Sequence, residues 1–496
     1  MAKLTAPIIE DLYAYGKAVY NLEIGRKDAV KKIISKYPES IADTSADFYI
    51  GLYSDYIAGY GSTWNQNSEL VLYYVEHITK DYGKETGLNA FQASMKFAKA
   101  KSKNKLIGDL NALWQRITCS DLNTDNQLKT EVPVIPKAAL MQIKAYIAAR
   151  GFTYPEGLIE NFYLSLKSKP FVILAGTSGT GKTRLVKLFA EAIGAIYSLV
   201  SVRPDWSDGT DIFGHTDLNG NFIEGPVCDA FCAAIASPDR PVLLCLDEMN
   251  LARVEYYLSD FLSVIEAREK TVGGKIVTPP IAQYAGGIPD NLYIIGTVNM
   301  DETTFPFSKK VLDRANTIEF SYVDLIPCFD LPDEVPEKLQ LPNSFLRTEY
   351  LVLARDCIRE QEYVREICAE LQVINTILQQ ANFHVGYRVR DEIVFYMLNN
   401  KAAEALISHN EAFDNEILQK LLPRIQGSTA SVKNMLCELF KLCAGDPEQK
   451  SGDTDSEKMR KLLDDASISC KYRRSAEKLA LMVKSFEEDG FTSYWQ

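Results

Sequence analysis

The stretch from Gly176 to Thr183 reads GTSGTGKT. It follows the apolar run PFVILA and precedes RLVKLFAEAIGA, which has helical amphipathic spacing. That context and the pattern G-x-x-x-x-G-K-[ST] together describe a loop that cradles a phosphate chain. Gly176, Gly179 and Gly181 let the backbone of Thr177, Ser178 and Thr180 curl, so that N–H groups face an anion at the start of the next helix. Lys182 is the candidate point charge between β- and γ-phosphates, and Thr183 the candidate ligand for Mg²⁺. Arg184 follows as a further nucleotide-side candidate.

Three other positions could complete such chemistry. PVLLCLDEMN is an apolar run that ends in two carboxylates. Asp247 would hold Mg²⁺ through water, and Glu248 would polarise an attacking water. The plainer reading is a solvated acidic pair at a strand end. NLYIIGTVN ends in Asn299, which either orients the same water or caps a turn. KKVLDRANTIEF places Arg314 just before another strand. In a ring, Arg314 can face a neighbour's γ-phosphate and stabilise transition-state charge. Otherwise it is a helix-end arginine in the field of the dipole.

Positioning these groups requires strands that end at one edge. From about residue 169, FVILAG, YSLVSVR, PVLLCLDE, NLYIIGTVN and ANTIEFSYV alternate with amphipathic segments. Such alternation predicts an α/β core with parallel strands and helices on both faces. Residues 1–120 carry apolar residues at three- and four-residue spacing and are expected to form a helical domain. Residues 121–168 read as a polar linker and helical lead-in, 169–343 as the α/β core, and 344–496 as a helical lid and C-terminal region. Within the last segment GDPEQKSGDTDSEK reads as a polar loop.

The 496-residue chain carries 54 Lys and Arg against 66 Asp and Glu, a net charge of −12. An acidic chain does not coat nucleic acid as a whole, so any DNA contact must come from a local patch or an assembled ring. The ten cysteines show no CxxC pair and no Cys/His metal spacing, as expected of reduced cytoplasmic thiols. The N-terminus has carboxylates where a signal peptide would be apolar. No apolar run approaches the ~18 residues of a membrane span, so no membrane partner is expected.

Taken together, the segments between about residues 150 and 440 resemble an AAA+ ATPase domain. GHTDLNGNFIEGP, with an Asn219-Gly220 turn, and TVGGKIVTPP, around Gly273-Gly274, read as hairpin insertions. Paired insertions of this kind look like the branch holding dynein-type, MoxR and McrB modules. VRPDW, DIFGH, LDEMNLARVEYYLSDFLSVIE, GTVNM and LLPRIQGS look like McrB-family motors of modification-dependent restriction systems. The resemblance implies a homo-oligomeric ring, expected to be a hexamer, with ATP or GTP as substrate and Mg²⁺ as cofactor. It also implies DNA, through the N-terminal domain or the pore, and a separate McrC-like nuclease subunit, because no nuclease constellation is evident here. GYRVRDEI fits the arginine-bearing lid segment, in which Arg388 would touch the nucleotide of its own subunit, with Arg390 as the fallback. The name-giving motor has Asn-Thr-Ala-Asp after its sensor strand and prefers GTP. Here NMDE, from Asn299 to Glu302, departs from that, and ATP is the expected nucleotide.

A MoxR-like ATPase that remodels protein shares the same core and is the alternative, as is a slowly hydrolysing nucleotide-switched scaffold. Weaker signals stay open. Lys96, Lys99, Lys101, Lys103 and Lys105 form either a DNA patch or a solvated helix end. Arg473 and Arg474 in KYRRS have the same two readings. Arg203 to Trp206 is either a pore loop or a buried Trp that props an insertion.

Overall fold

The computed structural model describes residues 4–21, 23–38, 40–60, 64–120, 135–217, 222–271, 275–284, 286–300, 305–320, 336–445, 453–465 and 467–495. The chain divides into two units, one of residues 1–131 with 215–223 and the other of residues 132–214 with 224–496.

The larger unit is built on a five-stranded sheet: β1 (Phe171–Gly176), β2 (Ile196–Ser201), β3 (Val242–Asp247), β4 (Leu292–Asn299) and β5 (Asn316–Phe320). The spatial order is β2-β3-β4-β1-β5, and every neighbouring pair is parallel. Parallel strands with helices on both faces are buried on both faces, so they read as unbroken apolar runs. In β1 all six residues are buried. Val172 and Leu174 pack with Leu185 and Phe189 on one face. Phe171, Ile173 and Ala175 pack with Leu244 and Phe261 on the other. The two-residue period thus feeds two cores from one strand. The expected α/β class is the class observed.

Of the two expected hairpin insertions, short two-stranded sheets form at Gly214–Thr216 with Phe222–Glu224, and at Glu269–Lys270 with Ile276–Val277. Their expected turn residues, Asn219-Gly220 and Gly273-Gly274, lie outside the described residues. Trp206 is 9% exposed and packs edge-on against Tyr257, so this side chain is buried.

The N-terminal unit is helical, with helices Ala6–Tyr20, Arg26–Lys36, Asp43–Ile57, Ser68–Ala100 and Asn104–Ser120. Its core is rich in tyrosine, and buried phenols need partners. Tyr74 donates to the Tyr49 carbonyl at 3.0 Å and Tyr56 to Gln66 Oε1 at 2.5 Å. Within the lysine cluster, Lys103 donates to the Gln66 carbonyl at 2.7 Å and lies over the Phe97 ring. Lys96, Lys99, Lys101 and Lys105 are exposed.

The C-terminal part is also helical, from Gln361–Gln379 to Arg473–Asp489. Asp453 to Lys458 departs from the expected polar loop. Thr454 accepts from the Glu457 backbone, and Glu457 accepts from the Thr454 backbone, a capping box that starts helix Asp455–Asp464. The T-x-x-E spacing was the available signal. Residues 446–452 of that stretch lie outside the described residues. Residues Thr492–Ser493 pair antiparallel with Gln426–Gly427, and Trp495 Nε1 donates to the Pro423 carbonyl at 3.0 Å.

Charges are buried between core and C-terminal helices. Glu392 pairs with both Lys169 and Lys420. Burial alone would raise Glu392, but these two ammonium groups hold it down to about 2. Glu416 is 1% exposed, and burial pushes it up to about 8 against the pull of Lys420. The folded chain therefore keeps a proton that the unfolded chain releases above the ordinary carboxylate range. The stability linked to this group is full at low pH and is lost as pH rises through about 8. Glu416→Gln should flatten the fall in urea-unfolding midpoint between about pH 5 and pH 9 relative to wild type. Equal slopes in the two proteins would assign that fall to other groups.

Candidate active site

The carboxyl ends of β1, β3 and β4 meet at one edge, the usual ligand edge of an open parallel sheet. Register fixes the meeting. Gly176 lies level with Asn299 across β1 and β4, and with Phe320 across β1 and β5. Leu246 lies level with Gly296, which carries Asp247 to the level of Thr297.

The loop after β1 turns through left-handed backbone at Gly179 (φ +79°) and Gly181 (φ +87°). Gly176 is required for a different reason: a Cβ there would lie 2.3 Å from the Phe320 carbonyl oxygen. Helix Lys182–Ile193 starts directly from this loop. The Lys182 ammonium lies inside the loop and donates to the carbonyls of Gly176 at 3.0 Å and Thr177 at 2.6 Å. Triphosphate oxygens would take over these donors as stronger, charge-assisted acceptors. Thr180 Oγ1 donates to the Thr177 carbonyl at 3.0 Å and braces the loop. Thr177, Ser178 and Gly179 are exposed at its tip. Arg184 stacks on Phe152, its guanidinium carbon 4.8 Å from the ring centroid.

Across the edge, Thr183 Oγ1 donates to Asp247 Oδ1 at 2.6 Å. A hydroxyl and a carboxylate at this spacing are the hard oxygen donors that Mg²⁺ takes, with water completing its shell. Glu248 adopts left-handed backbone, φ +53° and ψ +48°, unusual for a residue with a long side chain. Asn299 Nδ2 donates to Glu248 Oε1 at 3.0 Å and fixes the carboxylate. Below them Cys245 is buried beside Asp247, and burial pushes its thiol up to about 12, so it stays protonated.

Thr297 escaped the sequence reading. Its Oγ1 donates to Asp247 Oδ1 at 2.7 Å and accepts from the Glu248 backbone N–H at 3.0 Å. One hydroxyl thus positions both carboxylates. The signal was present in GTVN, because residues two apart on a strand share a face. Tyr154 was also missed; its hydroxyl donates to the Gly181 carbonyl at 3.1 Å.

Arg314 lies elsewhere. Asn316 is level with Val172, so Arg314 is level with Pro170, at the opposite end of the sheet from Gly176. Six residues of strand separate those levels, about 20 Å. Its guanidinium donates to the carbonyls of Leu262 at 2.7 Å and Lys310 at 2.8 Å, and Glu266 lies 3.7 Å away. Arg388 pairs with the same Glu266 at 2.5 Å, and Glu266 also pairs with Lys169, beside Pro170. Arg388, expected at its own subunit's nucleotide, is thus placed against Glu266 in this structure. Arg390 pairs with Asp391 and lies over the Tyr387 ring. Of the NMDE stretch, Asp301 and Glu302 lie outside the described residues. Among the described residues no group of three or more His, Cys, Asp or Glu side chains is placed to hold a metal by itself. No described helix is long and apolar enough to cross a membrane.

Residues 171–315 match the AAA domain of the dynein-related subfamily, and residues 336–491 match a domain of unknown function, DUF8727. Over 158 residues the chain is 28% identical to the chaperone MoxR1 of Mycobacterium tuberculosis, covering 31% of this chain. The match spans 37% of that relative's length. A solved structure of a proposed ATPase from Cytophaga hutchinsonii overlaps 55% of this chain and 88% of its own, at 15% identity and a TM-score of 0.34. The chain carries an AAA+ ATPase domain of the dynein- and MoxR-related kind.

Thr297→Val keeps the side chain's shape and removes both hydrogen bonds. Turnover should fall about 10- to 100-fold, the usual cost of losing a group that orients catalytic ligands. Nucleotide affinity should change little, and steady-state hydrolysis beside equilibrium binding separates the two. Wild-type turnover in a folded variant would show that the bridge is not needed.

Proposed function

We propose that this chain hydrolyses ATP with Mg²⁺ as a subunit of a homo-oligomeric ring and uses the cycle to remodel a protein client. The observation that carries the reading is the paired contact at the sheet edge, Thr183 to Asp247 at 2.6 Å and Asn299 to Glu248 at 3.0 Å. In this reading the Lys182 ammonium and the loop N–H groups bind the β- and γ-phosphates. Thr183 and Asp247 would hold Mg²⁺, which would neutralise phosphate charge when bound. Glu248 accepts a proton as water oxygen bonds to the γ-phosphorus and the bond to the β-phosphate oxygen breaks. Asn299 keeps the Glu248 carboxylate aimed at that water.

Arg314 cannot serve its own loop from about 20 Å away. In a ring it serves a neighbour, where an arginine stabilises charge on the transferring phosphoryl group. The similarity to a chaperone favours a protein client. A second reading, a McrB-like motor on DNA with a McrC-like nuclease, is supported by the motif resemblance of GTVNM and LLPRIQGS. Hydrolysis raised by duplex DNA would select it; hydrolysis raised by a protein client and not by DNA would select the first, and a slow turnover that neither raises would select a nucleotide-switched scaffold.

Glu248→Gln should bind ATP normally and hydrolyse it about 10²- to 10⁴-fold more slowly. Wild-type turnover in that variant would remove Glu248 from the reaction. Arg314→Ala and Lys182→Ala should each be inactive alone. Mixed, they form interfaces in which one subunit brings the loop and its neighbour the arginine, and hydrolysis should return in part. Co-assembly without recovered hydrolysis would make Arg314 structural.

A further inference from the structure

At the end of the sheet away from the phosphate loop, one carboxylate serves three cations. Glu266 lies 2.7 Å from the Lys169 ammonium, 2.5 Å from Arg388 Nε and 3.7 Å from Arg314 Nε. The three come from separate parts of the chain. Lys169 precedes β1, Arg314 precedes β5, and Arg388 stands in the first turn of helix Tyr387–Ala402. Glu266 itself belongs to the short turn Ile265–Ala267, which continues helix Ser259–Val264.

The charges here do not balance. Lys169 and Lys420 also share Glu392. Two carboxylates, Glu266 and Glu392, therefore face four cations, Lys169, Lys420, Arg314 and Arg388. The Arg388 side chain is 43% exposed and that of Arg314 14%, so the surplus positive charge is within reach of an anion from outside the subunit.

Arg314 is also held in one orientation. Its Nε donates to the Leu262 carbonyl at 2.7 Å and its Nη1 to the Lys310 carbonyl at 2.8 Å. A guanidinium has five donors, so these two bonds fix the group and leave three for a ligand. Glu266 at 3.7 Å is too far to accept a hydrogen bond from Arg314 and acts on it through charge. Without that carboxylate, the cations of Lys169 and Arg388 would face Arg314 with nothing negative between them, and like charges repel.

We propose that Glu266 is a positioning residue for hydrolysis: its carboxylate keeps the Arg314 guanidinium placed for the triphosphate bound by a second copy of this chain. The proposal rests on the reading of Arg314 as a group that serves a neighbour. It gives the segment after the catalytic carboxylates a second task, at the opposite end of the sheet from Glu248.

The test uses the full chain in pairwise mixtures. Glu266→Gln should bind Mg-ATP with wild-type affinity and hydrolyse it about 100-fold more slowly, the cost of displacing a reacting group by about 1 Å. Mixed with Lys182→Ala, which brings an intact Glu266 and Arg314 to the loop of Glu266→Gln, hydrolysis should return in part. Mixed with Arg314→Ala it should not, because each interface then lacks a correctly placed arginine. Where Glu266→Gln does not fold, Glu266→Asp, which keeps the charge and withdraws it by one methylene, is read in the same two mixtures. Recovery with Arg314→Ala would place the effect of Glu266 at its own loop and overturn the proposal. So would wild-type turnover of the folded variant, or no recovery in either mixture while Lys182→Ala with Arg314→Ala recovers. Co-assembly of that last pair without hydrolysis overturns the neighbour reading of Arg314 and this proposal with it.

Discussion

A single oxygen organises the active edge. Asp247 Oδ1 accepts from Thr183, on the helix after β1, and from Thr297, on β4. Three elements converge on that atom only because β4 lies between β1 and β3. The intervening strand is also what carries Asn299 to the level of Gly176 and within reach of Glu248. Were β3 to pair with β1 directly, the second carboxylate would have no amide beside it. Strand order is therefore a chemical constraint as much as a topological one.

The opposite end of the sheet has its own logic. There Glu266 gathers Lys169, Arg314 and Arg388, while Glu392 is buried between Lys169 and Lys420. Lys420 also donates to the Ala315 carbonyl at 2.9 Å, next to Arg314. Charges this deep are tolerated only when paired and hydrogen-bonded. The network ties the C-terminal helices to the segment that holds Arg314. The sheet thus carries the loop and the carboxylates at one end and, about six residues of strand away, a cluster of cations at the other.

Much of this was legible in the sequence. Strands β1, β3 and β4 announced themselves as apolar runs, because burial on both faces leaves little polar alternation to confuse them. The loop, Asp247, Glu248 and Asn299 could be picked out as candidates because local spacing marks them, and the strand ends bring them to one edge. What stayed hidden depends on register and tertiary approach. Thr297 is an ordinary strand threonine until β4 is placed beside β3. Arg388 fitted a lid motif, which says nothing of its pairing with Glu266. Asp455 looked like loop because its polar neighbours masked a capping box.

The left-handed backbone at Glu248 carries a consequence for selection. A long side chain at φ +53° is held there against its preference, whereas glycine or asparagine would rest there at little cost. The sequence is therefore not the most stable one this fold accepts at position 248. A library sorted on thermal resistance alone would enrich Gly or Asn at that position and discard the carboxylate.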